Sequence, residues 1–404
     1  MLTRRVGLAL LVAATPPALM IARPSVAQQP AMQLALDAYF ANRMDSAVAL
    51  FQRAARDNPT DARRYAWLAE AALRSGSLAE ARRAADAALR IDACNAQAHW
   101  VRASLFMPRF APTGQVNNDS TWTHLTAAIT CDPTDGNAWS DVWKYAIMRG
   151  DTAMESRALS ALVTTGFLTP AQVTYAEWLL RSLPPHAVLL TGGDLDTYGS
   201  LAVQVARGVR PDVAVVNIVM LSAPWYSRPT LARHRLKYEP TSATDSVGTD
   251  QQRIVRWLRR RAVTGVLGRP VAFAVSAPVD TVSGDGALQL AGPYWLVVRP
   301  TTVRINPTAI AESLSSAGSM DWRGPGAALS DRSPIRRVFQ PPPALMVSRI
   351  AVLEHALLER DDQLARDREQ WISAFLSRAG VDPILIAREL ELFRSSRARR
   401  TPPP

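Results

Sequence analysis

Four polar side chains with the chemistry of a ligand site lie close together in this 404-residue sequence: Asp194, Asp196, Thr197 and Asn217. Carboxylates two residues apart can converge on one hard cation, because Mg²⁺ and Ca²⁺ prefer oxygen ligands. The same carboxylates are good helix N-caps, since they accept hydrogen bonds from the free N–H groups of a first turn. A bare D-x-D spacing is common, so the capping interpretation is favoured and we expect no resident metal or other cofactor.

A βαβ unit would position these side chains. Residues 187–190 form a short apolar run between a proline pair and a glycine pair, which predicts a buried strand. Residues 198–207 have helical apolar spacing, and residues 213–216 are apolar on both faces, as in a covered parallel strand. Ligands of open α/β sheets bind at the carboxyl ends of the strands. We therefore predict that the four polar side chains form one candidate ligand site at that edge.

Two motifs of this unit resemble a known family. The motifs LPPHAVLLTGGDLDTY (183–198) and GVRPDVAVVNIVMLSAPWY (208–226) resemble the soluble C-terminal domain of a bacterial membrane-protein family described as protein O-mannosyltransferase-like. The family pattern is matched at Asp194, Asp196, Thr197, Arg210, Asp212, Asn217, Trp225 and Tyr226, and it differs at His186 and Leu195. The resemblance covers roughly 183–298 and implies a Rossmann-like α/β domain with a mostly parallel sheet over 170–300. It also implies a setting that handles glycans or glycoproteins. We find no counterpart here of the family's membrane-spanning part, where transferase chemistry would reside.

Residues 28–165 repeat with a period of 34 residues, which is typical of tetratricopeptide helix pairs. The matched positions are Leu34, Ala35 and Ala38 with Leu68, Ala69 and Ala72, and Ala47, Phe51 and Ala54 with Ala81, Ala85 and Ala88. The pattern predicts an α-helical tetratricopeptide solenoid whose concave surface binds a protein or peptide segment. The alternative is that the repeats only dock onto the α/β domain.

The N-terminus has the features of a secretory signal peptide over residues 1–27. Arg4 and Arg5 precede the apolar run 6–14, and small residues stand before Gln28. An uncleaved anchor is the alternative, although prolines and a short apolar run argue against it. No later segment reaches the roughly 20 apolar residues that span a bilayer. We expect an exported, periplasmic protein that does not span the membrane.

Cys94 and Cys131 are the only cysteines, and they lie in adjacent repeats. In an exported protein such a pair predicts a disulfide, and neither cysteine has the neighbouring cysteine that a metal site would need. The net charge of +11 comes almost wholly from arginine. Nucleic-acid binding is not expected, because no groove-reading or base-stacking motif accompanies these arginines.

The C-terminal part of the sequence is less patterned. Residues 301–343 are rich in Pro, Gly and Ser and predict an irregular connection, residues 344–396 predict helices, and residues 397–404 predict a disordered tail. The whole sequence favours an exported protein-binding or scaffold protein, with a glycan as a possible further partner. The alternative is a metal-dependent enzyme that acts on a saccharide or phosphorylated substrate at the Asp194-Asp196 turn.

Overall fold

A computed structural model describes residues 31–112, 114–239, 248–277, 285–357 and 362–398. The predicted signal peptide and residues 399–404 of the predicted tail lie outside these ranges. None of the helices within the described ranges has the length and apolar character that crossing a membrane requires.

Eight helices form four consecutive pairs in the N-terminal half. They are α1 (Ala31–Phe40), α2 (Met44–Asp57), α3 (Ala62–Arg74), α4 (Leu78–Ile91), α5 (Ala96–Ser104), α6 (Asn118–Cys131), α7 (Gly136–Arg149) and α8 (Thr152–Thr164). The starts of α3 and α5 are 34 residues apart, as the repeat period predicts. The third pair is lengthened by the loop 105–117. The helical, tetratricopeptide-like architecture is therefore present.

Small buried residues allow the paired helices to pack closely. Ala47, Ala54 and Ala81 have no exposed surface, and Phe51 stacks on Trp67 with ring centroids 6.0 Å apart. A larger side chain at such an alanine would have to displace the facing helix. The sequence pattern thus corresponds to contacts in the repeat core.

A five-stranded sheet forms the core of the second half. Its strands are β1 (Val188–Thr191), β2 (Ala214–Asn217), β3 (Val271–Ala274), β4 (Ala287–Leu290) and β5 (Tyr294–Val298), in the order β2-β1-β3-β5-β4. The β1 strand pairs in parallel with β2 and β3, whereas β5 is antiparallel to both β3 and β4. The sheet is therefore mixed, and the prediction of a mostly parallel sheet was wrong for its second half. A tight turn after Leu290 reverses the chain. The sequence gives little sign of this turn, because residues Leu288 to Val298 are mostly apolar and read as one strand.

Four helices accompany the first three strands. They are α9 (Pro170–Ser182), α10 (Asp194–Arg207), α11 (Pro224–Arg233) and α12 (Asp250–Val263). The repeats contact this domain where α8 meets α10 and where α7 meets α11. Buried Glu155 of α8 accepts two hydrogen bonds, of 2.5 and 2.6 Å, from the guanidinium of Arg233 in α11. The solenoid and the α/β domain therefore share an interface.

The predicted irregular connection 301–343 contains two helices, α13 (Pro307–Gly318) and α14 (Pro334–Phe339), so that prediction was wrong in part. Asn306 accepts a hydrogen bond from the Ala309 N–H, and Pro307 occupies the first helical position, so α13 has a well-formed start. Residues 320–333 between the two helices have no regular structure. We call residues 320–333 the strap.

The C-terminal helices are α15 (Ala344–Leu357), α16 (Asp362–Arg378) and α17 (Pro383–Ala398). The α15 helix packs on α13, which in turn packs on α9. Trp322 of the strap links these layers, since its ring makes edge contacts with Trp178 of α9 and Phe375 of α16. Because α17 extends to Ala398, the first two residues of the predicted tail are helical.

Candidate functional site

An open cleft of about 550 Å³ lies where the repeats face the carboxyl edge of the sheet. The first helices of the repeats contribute Arg74 of α3, Trp100 of α5 and Lys144 of α7. The α/β domain contributes Asp194 and Tyr198 from the start of α10. Both halves of the molecule are needed to form this cleft, which sequence reasoning had treated as two separate sites.

Charged and aromatic side chains line the cleft together. Among the described residues its charged groups are Arg74, Arg109, Lys144 and Arg336 with Asp141 and Asp194. Its aromatic groups include Trp100, Tyr198 and Trp225. Arg74 is paired with Glu70, Lys144 with Asp141 and Arg336 with Asp194. Arg109 is exposed, so the cleft presents this cation to solvent beside an apolar surface.

A second cavity of about 310 Å³ adjoins the cleft, with Lys144, Asp194, Tyr198 and Trp225 as shared walls. Thr197, Asn217 and the glycine pair that follows β1 line its far side. Three of the four predicted site residues, Asp194, Thr197 and Asn217, therefore lie along one continuous surface.

Asp194 is the exposed member of the acidic pair. It is the first residue of α10, and its carboxylate lies 3.3 Å from Nη1 of Arg336 in α14. Gly193 occupies the N-cap position, and no side chain caps this helix. The capping interpretation was wrong because the helix begins at Asp194 rather than at Tyr198, which places both carboxylates inside the first turn.

Asp196 is buried and faces away from the cleft. It accepts a 3.1 Å hydrogen bond from the Tyr175 hydroxyl and another from the Ser276 hydroxyl. Burial raises the pKa of Asp196, although these two hydrogen bonds act in the opposite direction. Asp194 and Asp196 thus have different partners and do not converge. No group of three or more His, Cys, Asp or Glu side chains in the described part of the chain could hold a metal ion.

Thr197 and Asn217 are joined through their side chains. The Asn217 amide donates to Thr197 Oγ1 at 2.9 Å, and the Thr191 hydroxyl lies 2.7 Å from the same oxygen. The Asn217 backbone N–H donates to the Tyr226 hydroxyl oxygen. This network fixes the carboxyl ends of β1 and β2. Sequence reasoning missed Thr191, although its place at the end of a buried strand beside the glycine pair could have indicated it.

Lys144 and Asp141 form a further charged pair in the cleft, with Nζ and Oδ1 2.9 Å apart. The indole N–H of Trp100 donates to the other carboxylate oxygen at 2.9 Å. Burial opposes ionisation of both groups, but their mutual attraction outweighs it, so the pKa of Asp141 is lowered and that of Lys144 is raised. Sequence reasoning missed this pair. Its signal was Lys144 itself, one of two lysines in a chain that otherwise uses arginine.

Two residues that carry the family resemblance hold the opposite edge of the sheet. The Arg210 guanidinium donates to both carboxylate oxygens of Asp212 and to the carbonyls of Leu180, Leu183 and Pro184. The hydrogen bonds from Arg210 lower the pKa of Asp212 well below its usual range. These contacts fix the chain before β1, so they shape the fold rather than the cleft.

Comparisons with known proteins give limited matches. Residues 172–244 match the family model described as TMEM260-associated domain 2, which is less than a quarter of the chain. Among solved structures, the crystal structure of the MamA protein is similar at 16% identity and a TM-score of 0.26, over 53% of this chain and 96% of that one. No curated protein sequence matches the chain.

Proposed function

We propose that this chain is an exported binding protein whose open cleft holds an acidic segment of a partner polypeptide. The observation that carries this proposal is the cleft itself, which presents the exposed cation Arg109 together with aromatic surface. Cavities of roughly 300–1,000 Å³ with apolar walls and a few convergent polar groups are typical ligand sites. Complementary charge would select an acidic partner and orient it.

Two exposed groups would make first contact with such a partner. Arg109 is exposed, and its guanidinium lies over the Phe110 ring with 5.1 Å to the ring centroid. Ile335 is 57% exposed and lines the same cleft. A carboxylate at Arg109 beside an apolar side chain at Ile335 or Trp225 would match these walls. An assembly that handles glycans or glycoproteins is the setting we propose, and that part rests on the family resemblance alone.

The alternative, a metal-dependent enzyme, needs two carboxylates that converge on one cation. The separate partners of Asp194 and Asp196 favour the binding protein instead.

A selection from a library of short peptides, with the mature chain as bait, tests the proposal. We expect enrichment of peptides that combine acidic and aromatic residues. Arg109→Glu should weaken their binding at least about tenfold, which corresponds to roughly 1.4 kcal/mol. Arg323→Glu, a charge reversal at another exposed arginine outside the cleft, should leave the binding unchanged. No enrichment, or an equal loss in both variants, would contradict the proposal.

Export to the periplasm is part of the proposal and is supported by the cysteines. Cys94 and Cys131 are joined by a disulfide with their Cα atoms 5.2 Å apart, and disulfides persist in oxidising compartments. N-terminal sequencing of protein from the cell envelope should begin at or near Gln28, and mass spectrometry without reductant should detect the linked pair. An intact Met1 or free thiols in folded envelope material would count against export.

A further inference from the structure

The strap lies in a groove formed by the first helices of the repeats, and its main chain is held by side chains from those helices. The Asn137 amide donates to the Ser330 carbonyl at 2.9 Å, and its oxygen accepts from the Arg332 N–H at 3.0 Å. The Tyr39 hydroxyl donates to the Arg332 carbonyl at 2.8 Å. Helices α1 and α7, which are far apart in the sequence, therefore bind neighbouring peptide units of the strap.

The α9 helix continues this main-chain recognition at the other end of the strap. The Gln172 amide donates to the Gly326 carbonyl at 2.5 Å, and the Thr169 hydroxyl donates to the Pro325 carbonyl at 3.1 Å. Thr174 binds the Asp321 carbonyl in the same way at 2.8 Å. Contacts with main-chain carbonyls do not depend on which side chain the bound segment carries, so they resemble peptide recognition more than ordinary core packing.

One side chain of the strap enters the groove between two carboxylates. The Arg332 guanidinium donates to Glu70 Oε2 and to Asp135 Oδ1, both at 2.8 Å, and it lies over the Trp100 ring. Glu70 has no exposed surface and Asp135 is 7% exposed. Buried carboxylates of this kind require a cationic partner, because an unpaired charge in the interior is costly.

Neighbouring side chains form hydrogen bonds with the Glu70 carboxylate and fix its orientation toward that cation. Arg74 donates to Oε1 at 2.9 Å and Gln97 donates to Oε2 at 2.8 Å. The Tyr39 hydroxyl lies 2.8 Å from Oε1, and its one proton is shared between this oxygen and the Arg332 carbonyl. Burial opposes ionisation of Glu70, but Arg332 and then Arg74 outweigh it, so its pKa is lowered. Every one of these groups except Arg332 belongs to the repeats. The repeats alone therefore build a charged, oriented receptor for one guanidinium.

We infer that this repeat groove, formed by Tyr39, Glu70, Trp100, Asp135 and Asn137, is a recognition site for a non-helical segment that carries an arginine. Residues 330–332 of this chain occupy the site in cis. A partner that binds the groove in trans must offer the same chemistry, with one arginine between the two carboxylates and a free main chain on both sides of it. The inference does not depend on what the open cleft holds.

A tethered segment competes strongly with a free one, because its effective concentration reaches the millimolar range for short linkers. Weakening the strap should therefore expose the site. Arg332→Lys keeps the positive charge but loses the planar fork that contacts two carboxylates at once. Arg332→Ala removes the cation altogether. Arg323→Ala, at an exposed arginine of the same strap whose partner Asp321 is also exposed, is the matched control.

The test measures binding of a fluorescent synthetic peptide of residues 324–337 to the mature wild-type chain and to these three variants. We expect the peptide to bind the Arg332→Lys chain, and the Arg332→Ala chain where that folds, at least about tenfold more tightly than the wild-type or Arg323→Ala chain. The same peptide with Arg332 replaced by Ala should lose this binding. Equal affinity of the native peptide for the wild-type and Arg332→Lys chains would overturn the inference, as would equal binding by the two peptides.

Discussion

The repeat groove and the open cleft are adjacent and share Trp100 and Asn137, yet they use the same residue types in different ways. In the groove, the carboxylates of Glu70 and Asp135 are buried and paired with Arg332. In the cleft, Asp194 keeps 64% of its side chain exposed, and Arg109 projects into solvent. A paired, buried set of charges stabilises a contact that already exists, whereas an exposed charge such as Arg109 can contact a partner.

The concave surface of the repeats is covered by the chain's own strap, which limits where a partner can bind. A tetratricopeptide pattern predicts a concave surface that is open to a peptide, but here the chain's own strap lies on that surface. The repeats also dock onto the α/β domain through α8 and α10. Docking onto the α/β domain is therefore present, and binding of a partner stays a proposal for the surface that the repeats form jointly with the sheet edge.

The largest expected effect is in the groove. Arg332→Ala removes the cation that is paired with the buried carboxylates of Glu70 and Asp135. Removing one partner of a buried ion pair destabilises the folded state by about 3–5 kcal/mol. Chemical denaturation of the purified chain should show this loss in the free energy of unfolding. Arg323→Ala should be close to the wild type, since both members of that pair are exposed. Similar stability of the two variants would mean that the groove contact is not a buried, paired one.

An intermediate effect is expected in the helix pairs that form the groove. Ala81 has no exposed surface in α4, so Ala81→Leu should overpack the second repeat and cost roughly 1–3 kcal/mol. Ala79 in the same helix is exposed, and Ala79→Leu is the matched control. Thermal melting of the two variants measures the contrast. An unchanged melting temperature for Ala81→Leu would show that the repeat register is wrong.

A smaller, pH-dependent effect is expected behind the cleft. Burial raises the pKa of Asp196, so the folded chain binds this proton more tightly than the unfolded chain does. Its contribution to stability is complete below about pH 3.9, the usual pKa of aspartate, and is lost as the pH rises through the folded pKa. Asp196→Asn stays neutral, so its melting temperature relative to the wild type should increase between about pH 4 and about pH 7.

Asp321→Asn is the control for that experiment. A hydrogen bond from Arg323 lowers the pKa of Asp321 to about 2, so its titration lies below the tested range. An unfolded aspartate titrates at about pH 3.9, so the difference between Asp321→Asn and the wild type should change slightly at about pH 4 and stay constant from about pH 5 to about pH 7. A constant difference for Asp196→Asn as well would show that Asp196 is not the buried acid described above.

The smallest stability effect is expected in the cleft. Asp194→Asn removes one exposed ion pair with Arg336, which is worth about 0–1 kcal/mol. Calorimetric titration with Mg²⁺, Mn²⁺ and Ca²⁺ should show no micromolar affinity in the wild type or the variant. A micromolar affinity that disappears in Asp194→Asn would instead favour the enzyme alternative.

Local patterns in the sequence predict the elements better than they predict the site. The strand β1 follows from an uninterrupted apolar run, and the paired helices follow from alanines at a fixed period. The predicted start of α10, at Tyr198, is four residues too late, because the helix begins at Asp194. Gly193 at the N-cap has no side chain that would mark a helix start, and acidic residues of a first turn have the composition of a loop. The α13 helix was missed because its Ala, Ser and Gly content resembles a loop.

The contacts that define the two surfaces join residues that are distant in the sequence. Arg332 meets Glu70 and Asp135 from 262 and 197 residues away, and no local motif marks any of the three. Asp194 and Asn217 line one cavity because parallel strands bring their carboxyl ends to one edge of the sheet. Lys144 of the repeats also lines this cavity, and the order of the strands gives no indication of that contact.

Photo-crosslinking inside the cell envelope tests most directly whether the cleft is the surface left open to a partner. A photoreactive amino acid would replace Ile335, which is 57% exposed in the cleft, or Leu329, which is 83% exposed on the strap and does not line the cleft. We predict a discrete crosslinked partner at position 335, its loss when Arg109→Glu is added, and no such product at position 329. Equal products at both positions, or a product at 335 that survives Arg109→Glu unchanged, would contradict the account.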